Sequence, residues 1–186
     1  MENACKLLKK ICRKEYPLWL YGKFISTFQC YWDNTFEASE IIENLWVGNL
    51  SSATNKEELE KINIDTIIVS AIGVRELFPE NFNYISVPFR DVEDEPILDK
   101  IIPLLPQIRE LLEQHKPVFV HCMMGASRSV TIVACYLMKY HNMPSDKVIE
   151  FMKSKRNAVD PNKGYLDALV EYEKLVLTLQ NIDNVK

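Results

Sequence analysis

The sequence predicts an α/β fold in which helices flank a central, mostly parallel sheet. First, segments rich in β-branched residues alternate with helical segments from about residue 37 onward, which is the order of elements in α/β proteins. Second, a strand-like segment such as DTIIVSA is a continuous apolar run, as is typical of strands buried on both faces. Third, 47% of the 186 residues are hydrophobic, which suffices for the core of one domain.

Four segments are predicted as β-strands, because β-branched and aromatic residues cluster there between turn-forming residues. In chain order they are NLWVGN, DTIIVSA, FNYISVPF and KPVFVHC, which begin at residues 44, 65, 82 and 116. The sequence contains no internal repeat and no low-complexity tract, so these strands belong to one arrangement rather than to a repeated unit.

Five segments are predicted as helices. The pattern Thr54-x-x-Glu57 is a capping box that opens the first, NKEELEKIN at residues 55–63. The segment 128–140 is apolar nearly all round, so we expect it to lie at the centre of the domain. The remaining three are IIPLLPQIRELLEQH at 101–115, a segment from a Ser145 cap to Arg156, and one from Lys163 to about Gln180 that follows a turn containing Pro161.

The chain divides into an N-terminal extension at residues 1–36, one domain at 37–182 and a tail at 183–186. In the extension, lysines mix with Leu, Ile, Trp and Tyr, and residues 1–24 hold six basic and two acidic side chains although the whole chain has a net charge of −4. Three interpretations of the extension stay open: a helix packed on the domain, a kinase-docking peptide in RKEYPLWL, and an amphipathic segment that contacts acidic lipid.

The composition argues against several classes of protein. A net charge of −4 gives no indication of a nucleic-acid-binding surface. No apolar run approaches the roughly 20 residues of a transmembrane helix. The five cysteines are odd in number and include no C-x-x-C pair, which is typical of a reducing compartment. We therefore expect a soluble protein of the cytoplasm, with the nucleus or a virion as alternatives if the chain is viral.

The segment VHCMMGASRS at residues 120–129 is predicted to bind an anion. It joins the end of a strand to the start of a helix, where backbone N–H groups lack acceptors and the helix dipole is positive. Gly125 allows the tight loop this requires, and Arg128 adds a planar fork of donors suited to a phosphoryl group. The same positive surroundings would stabilise a thiolate at Cys122.

A phosphate held over a thiolate implies transfer of the phosphoryl group to Cys122, followed by hydrolysis. The leaving oxygen of the substrate needs a proton, which a carboxylic acid on a nearby loop can supply. The acidic loop RDVEDEPILD at residues 90–99 offers candidates. The residues alone do not distinguish Asp91 from Glu93 or Asp94.

The pattern His-Cys-x5-Arg in HCMMGASRS resembles the signature of the cysteine-dependent protein tyrosine phosphatase superfamily, and its Ser-Arg-Ser ending resembles the dual-specificity branch. The similarity covers about residues 38–180. It implies a protein tyrosine phosphatase-like fold of three layers. Further segments that resemble the family in order and spacing are IIENLWVGNLSSATNKEEL, INIDTIIVSA, YISVPFRD and VDPNKGYLDALVEYE.

The resemblance also implies roles for individual residues. Cys122 matches the nucleophile, Arg128 the residue that grips the phosphate, and Asp91 the general acid. Ser129 matches the hydroxyl that helps the thiolate to leave. The phosphate-binding loop comprises Met123, Met124, Gly125, Ala126 and Ser127 together with Arg128, and the supporting residues are Asn162, which steadies this loop, and His121, which we interpret as a structural hydrogen-bonding residue.

We therefore expect a protein phosphatase of dual specificity that needs no cofactor or metal and acts on a phosphoprotein, with a signalling kinase as one candidate. We expect neither a nucleic-acid partner nor a transmembrane segment, and the oligomeric state, including a dimer, stays open. Two alternatives remain. One is a phosphatase of a phosphoinositide or an RNA 5′ end, whose relatives tend to place basic residues inside the loop, unlike Met-Met-Gly-Ala-Ser here. The other is a phosphopeptide-binding module without catalysis.

Overall fold

The computed structural model describes residues 36–183, with side chains as far as residue 178. Within this part of the chain, one five-stranded sheet has the order β1-β2-β5-β3-β4. Strand β1 pairs antiparallel with β2, and every other pair is parallel, which confirms the prediction of a mostly parallel sheet. The strands are β1 Ser39–Ile42, β2 Leu45–Gly48, β3 Thr66–Ala71, β4 Asn83–Phe89 and β5 Val118–His121.

Helices cover both faces of this sheet. They are α1 Leu50–Thr54, α2 Lys56–Lys61, α3 Leu98–Ile101, α4 Leu105–Glu113, α5 Arg128–Tyr140, α6 Ser145–Lys155 and α7 Lys163–Asp183. Helix α5 is buried from Arg128 to Met138 and packs against α6, α7 and the sheet, so its predicted central position is confirmed. None of the helices in the described residues is long and apolar enough to cross a membrane.

Two hydrophobic cores lie on opposite faces of the sheet. Because side chains alternate along a strand, Ile68 of β3 faces the core formed with α3–α7, whereas Ile67 faces the core formed with α1 and α2. Strand β5 divides in the same way, with Val120 in the first core and Phe119 in the second. The result is the three-layer α/β arrangement that the sequence predicts.

Two predictions about helix starts were wrong. The N-cap of α2 is Asn55, whose side chain accepts from the N–H of Glu58. Thr54 instead ends α1. Ser145 lies inside α6 and not at its cap; its N–H and its hydroxyl both donate to the carboxylate of Glu173 on α7. In the second case, a residue distant in sequence satisfies the free donors at the helix start.

Two further elements differ from the sequence prediction. The helix expected over 101–115 begins only at Leu105, as α4; residue 101 is the last of the short helix α3, and a turn at residues 102–104 separates the two helices. Pro103 lies in that turn, and proline lacks the N–H that a continuous helix requires. The edge strand β1 was missed altogether, since only Ile41 of its four residues is fully buried and the strand gives little apolar signal.

The topology brings the predicted site together. Strands β3, β4 and β5 run parallel, so their carboxyl ends meet at one edge of the sheet, where α/β proteins bind ligands. Cys122 directly follows β5, and Asp91 lies two residues beyond β4. The extension predicted at residues 1–36 lies, apart from Phe36, outside the described residues, as do Cys5, Cys12 and Cys30.

Candidate active site

The loop between β5 and α5 turns its carbonyl groups outward. Each carbonyl from residue 123 to residue 127 accepts a hydrogen bond from a group outside the loop. In a planar trans peptide the N–H of the next residue points the opposite way, so the N–H groups of residues 124–128 face the concave side and form an anion-binding nest. The donors, in order, are Leu50 N (3.0 Å), Arg156 Nη2 (3.3 Å), Arg156 Nε (2.8 Å), Asp160 N (2.8 Å) and Thr131 N (2.9 Å).

Gly125 is required at the tightest point of the loop. Its φ is +64°, a conformation that side chains with a β-carbon disfavour. A β-carbon added there would also lie 2.5 Å from the carbonyl oxygen of Gly48. The loop therefore packs directly on the end of β2.

Cys122 lies at the bottom of this nest, and only 1% of its surface is exposed. Its Sγ accepts from the N–H of Gly125 at 3.2 Å and from the hydroxyl of Ser129 at 3.3 Å. Burial acts to raise the pKa of the thiol, but the positive charge of Arg128 and the hydrogen bonds from Ser129 outweigh it and bring the pKa below its ordinary value. By contrast, burial alone raises the pKa of Cys135, so that thiol stays protonated.

Arg128 is buried beside Cys122, and its guanidinium is only partly satisfied. Its Nη1 donates to the carbonyl of Phe89 at 3.4 Å. Its Nε lies 3.4 Å from Oδ2 of Asp91 but makes no hydrogen bond with any described residue. A buried donor without an acceptor is rare in folded proteins. The N–H at Nε of Arg128 can donate to an oxygen of a bound anion.

Asp91 lies at the rim of the nest. Its Oδ1 accepts from the hydroxyl of Ser127 at 2.8 Å and from Nδ2 of Asn162 at 2.9 Å. The N–H of Asn162 lies 3.4 Å from the same Ser127 hydroxyl. Asn162 therefore joins the acidic loop to the phosphate-binding loop. Asp91 is the acidic-loop carboxylate that contacts Ser127 and Arg128, which distinguishes it from Glu93 and Asp94.

His121 takes a structural position. Its ring stacks on Phe119 with centroids 5.6 Å apart, and its Nδ1 lies 3.2 Å from the carbonyl oxygen of Cys122. Burial lowers its pKa to about 4, helped by the charge of Arg128 and partly offset by this backbone contact. The ring is therefore neutral near pH 7 and adds no positive charge beside the thiol.

Sequence reasoning missed Arg156, which it used only as a helix boundary. The side chain is buried, and Nη1 donates to the carbonyl of Glu37 at 2.8 Å, in addition to the two bonds to the carbonyls of Met124 and Gly125. Burial lowers its pKa, whereas Glu37 and Cys122 act to raise it. Its partners are 31 to 119 residues away in the chain, so no local pattern could have revealed them.

The side chains of the remaining loop residues differ in how far they are exposed. Met123 is nearly buried, whereas 56% of the surface of Met124 is exposed at the rim, and Ala126 is half-buried. The residues described by the structure contain no group of three His, Cys, Asp or Glu able to hold a metal ion. The arrangement combines an anion nest, a stabilised thiolate and a carboxyl group, which together suit phosphoryl transfer to sulfur.

Comparisons with known proteins agree with this geometry. The sequence profile described as "Dual specificity phosphatase, catalytic domain" matches residues 45–175. Dual specificity protein phosphatase 1B of Arabidopsis thaliana is 33% identical over 140 residues, which is 75% of this chain and 84% of that protein. Human dual specificity protein phosphatase 21 is 32% identical over 138 residues, with 74% and 73% covered.

Solved structures give the same result for the fold. The human tyrosine phosphatase-like serine/threonine/tyrosine-interacting protein superposes with a TM-score of 0.73 at 27% identity, over 77% of this chain and 99% of that one. The structure of DUSP15 superposes with a TM-score of 0.71 at 25% identity, over 79% and 97%. The protein tyrosine phosphatase-like fold expected from the resemblance is confirmed.

Proposed function

The chain belongs to the dual specificity phosphatase family and is a cysteine-dependent protein phosphatase, and we propose that Cys122, Arg128, Asp91 and Ser129 carry out its chemistry. The observation that supports this assignment is the thiol of Cys122 at the bottom of a ring of N–H groups, beside the unsatisfied Nε of Arg128. A phosphoryl dianion bound in that ring would accept from Nε of Arg128 and present its phosphorus to the sulfur.

In the first step, the thiolate of Cys122 attacks phosphorus, and the bond from phosphorus to the substrate oxygen breaks. Arg128 and the loop N–H groups hold the three other oxygens, on which negative charge is concentrated. Asp91, in its carboxylic acid form, gives its proton to the leaving oxygen. The products are a phosphocysteine, a neutral alcohol or phenol, and the Asp91 carboxylate.

In the second step, water attacks phosphorus and the sulfur–phosphorus bond breaks. The Asp91 carboxylate takes a proton from the water and returns to its acid form. The hydroxyl of Ser129, which donates to Sγ at 3.3 Å, stabilises the departing thiolate. Inorganic phosphate is released, and the thiolate is ready for another cycle.

The substrates we propose are phosphotyrosine and phosphoserine or phosphothreonine in proteins. The interior of the loop, Met123 to Ser127, contains no basic side chain, so it offers no added charge for a phosphoinositide or an RNA 5′ end. This favours a protein substrate. A signalling kinase is a proposed substrate, and RKEYPLWL in the N-terminal extension is a candidate docking segment for it.

The chemistry also bears on the cellular compartment. A thiolate nucleophile is lost when it is oxidised, and Cys122 and Cys135 are both free thiols. We propose that the protein works in a reducing compartment, with the cytoplasm as the first candidate. Fractionation of cells that produce the full chain tests this location.

Two substitutions test the proposed roles directly. Cys122→Ser should abolish the release of phosphate from a phosphopeptide, because a hydroxyl of ordinary pKa does not ionise in this nest, while Cys135→Ala serves as a control that keeps turnover. Asp91→Asn should slow substrates with poor leaving groups by roughly 10²–10⁴-fold. A Cys122→Ser protein that still turns over would overturn the assignment. Wild-type protein that binds the phosphopeptide without releasing phosphate would support a binding module instead.

A further inference from the structure

Glu95 is a buried carboxylate near the acidic loop, and the mechanism above does not use it. Its side chain is 5% exposed, and it forms ion pairs with two cations. Arg90 Nε donates to its Oε2 at 2.7 Å, and Lys100 Nζ lies 3.5 Å from its Oε1. Burying a carboxylate is unfavourable unless such partners compensate it, so Arg90 and Lys100 together offset the cost of burying Glu95.

The ion pair between Arg90 and Glu95 connects the two sides of the segment that carries Asp91. Arg90 directly precedes Asp91, and Glu95 lies four residues after it. Lys100, the third residue of the four-residue helix α3, also donates to the carbonyl of Pro88 at 3.0 Å. The carboxylate of Glu95 therefore connects the end of β4 to α3 across the base of the loop.

Other contacts hold the same loop against the body of the domain. The hydroxyl of Tyr165 donates to the carbonyl of Arg90, and Arg128 donates to the carbonyl of Phe89. A β-carbon on Gly164 would lie 1.9 Å from the carbonyl oxygen of Glu93, so α7 packs directly on the loop. The backbone on both sides of Asp91 is thus anchored before any substrate is bound.

We propose that Glu95 is a positioning residue, which holds the loop so that Asp91 stands ready to transfer its proton. This proposal rests on the assignment of Asp91 as the general acid. A displacement of about 1 Å at a catalytic group can lower the rate by on the order of 10²-fold. An anchored loop avoids this loss because it holds Asp91 in position without a closing step. Glu95 acts through Arg90 and Lys100 and does not touch the substrate.

The effect of losing this anchor depends on the leaving group. A phosphate ester with an acidic leaving group needs little help from a proton, whereas an ester of a weakly acidic phenol or an alcohol needs it most. Glu95→Gln keeps the size of the side chain but removes the charge that attracts both cations. Because it moves the acid without removing it, its effect should resemble a weakened form of Asp91→Asn.

The test measures kcat and KM for a series of aryl phosphates whose phenols differ in acidity. We expect Glu95→Gln to lower kcat/KM, which reports the step in which Asp91 acts as the acid, about 10-fold for the least acidic phenol and less than about 2-fold for the most acidic one, since general acids contribute roughly 10²–10⁴-fold. Inhibition by orthovanadate should be unchanged, because the anion nest is intact. The matched control is Glu113→Gln, which breaks the exposed ion pair with Arg109 away from the site.

A second variant covers the case in which Glu95→Gln does not fold. The side chain of Arg90 is 44% exposed, so Arg90→Gln should be tolerated and should give the same dependence on the leaving group. When both variants fold, the double variant should add little to either single one, because the two residues act as a unit.

The outcomes separate the two hypotheses. If Asp91→Asn itself shows no dependence on the leaving group, the assignment of the general acid fails. If Asp91→Asn shows that dependence while Glu95→Gln and Arg90→Gln behave like Glu113→Gln, the positioning role is wrong and the proposed acid stands. A loss of kcat/KM that is the same for all phenols in both variants would likewise overturn the positioning role.

Discussion

Arg156→Lys is the substitution that most directly tests how the phosphate-binding loop is held. The guanidinium of Arg156 serves three carbonyl groups, those of Glu37, Met124 and Gly125, over distances of 2.8 to 3.3 Å. Lysine keeps the positive charge, but its single ammonium nitrogen cannot donate to all three carbonyls as the planar guanidinium does. The substitution therefore removes hydrogen bonds and leaves the charge in place.

The size of the effect follows from the number of bonds lost. If the ammonium keeps one of the three acceptors, two bonds are lost, and each hydrogen bond to a charged group is worth about 1.5–3 kcal/mol. Without relaxation, the loss of two bonds would lower the free energy of unfolding by about 3–6 kcal/mol. Because the surroundings relax, we expect the lower end of this range, about 3 kcal/mol. That is a large share of a total that is typically about 5–15 kcal/mol.

Urea unfolding of both proteins measures this loss. Arg109→Lys is the control, because Arg109 forms an exposed ion pair with Glu113 and such pairs are worth about 0–1 kcal/mol. Binding of orthovanadate to Arg156→Lys should weaken as well, since two of the three acceptors are carbonyls of the loop and at least one of them loses its donor. If Arg156→Lys loses no more stability than Arg109→Lys and binds orthovanadate normally, the loop is not held as described.

Changes at the thiol, the neighbouring histidine and the loop glycine give separate outcomes. Although burial opposes it, the pKa of Cys122 lies below its ordinary value of 9.0, so the rate of alkylation by iodoacetate should reach half its maximum at a pH well below 9.0. Ser129→Ala should raise this midpoint by about one to two pH units, as expected for one hydrogen bond of about 1.5–3 kcal/mol to a charge. An unchanged midpoint would count against the hydrogen bond. The pKa of His121 is about 4 in the folded state and 6.5 ordinarily, so the free energy of unfolding should be highest above pH 6.5 and fall by up to about 3 kcal/mol toward pH 4 as the unfolded state binds a proton. Urea unfolding of His121→Gln should not show this fall. Identical pH profiles for the two proteins would contradict the burial of a neutral ring. Gly125→Ala would place a β-carbon 2.5 Å from a backbone oxygen of β2 at a φ of +64°. It should therefore lower the free energy of unfolding in urea by at least about 2 kcal/mol and abolish orthovanadate binding. Wild-type affinity for orthovanadate would show that the loop adapts.

Most of the fold could be predicted because its signals are local. The run at β3 is β-branched and fully buried, and helix α5 is apolar all round because it lies between the sheet and two helices. Strand β1 escaped prediction because its four residues obtain their strand conformation from pairing with β2. The N-cap of α2 was misplaced by one residue, since Thr54 and Asn55 are both good caps and only the packing decides between them.

The site residues also divide into those with a local signal in the sequence and those without one. Cys122 and Arg128 could be identified because the chain itself sets their spacing across a strand–loop–helix turn. From the residues alone, Asp91 could not be separated from its acidic neighbours, because the choice depends on contacts with Ser127 and Asn162 in other elements. Arg156 and Glu95 are charged residues with no local sign of burial, and only the folded chain shows what they hold.

The phosphocysteine intermediate is the most direct test of the central claim, that Cys122 is the nucleophile in the anion nest. The measurement is acid quenching during turnover of a phosphopeptide, followed by digestion and mass spectrometry of the fragment that contains residue 122. We predict a phosphoryl group on Cys122 in the wild-type protein, a larger fraction in Ser129→Ala, and none in an inactive Cys122→Ser. A phosphoryl group on another side chain, or continued turnover by Cys122→Ser, would contradict the account.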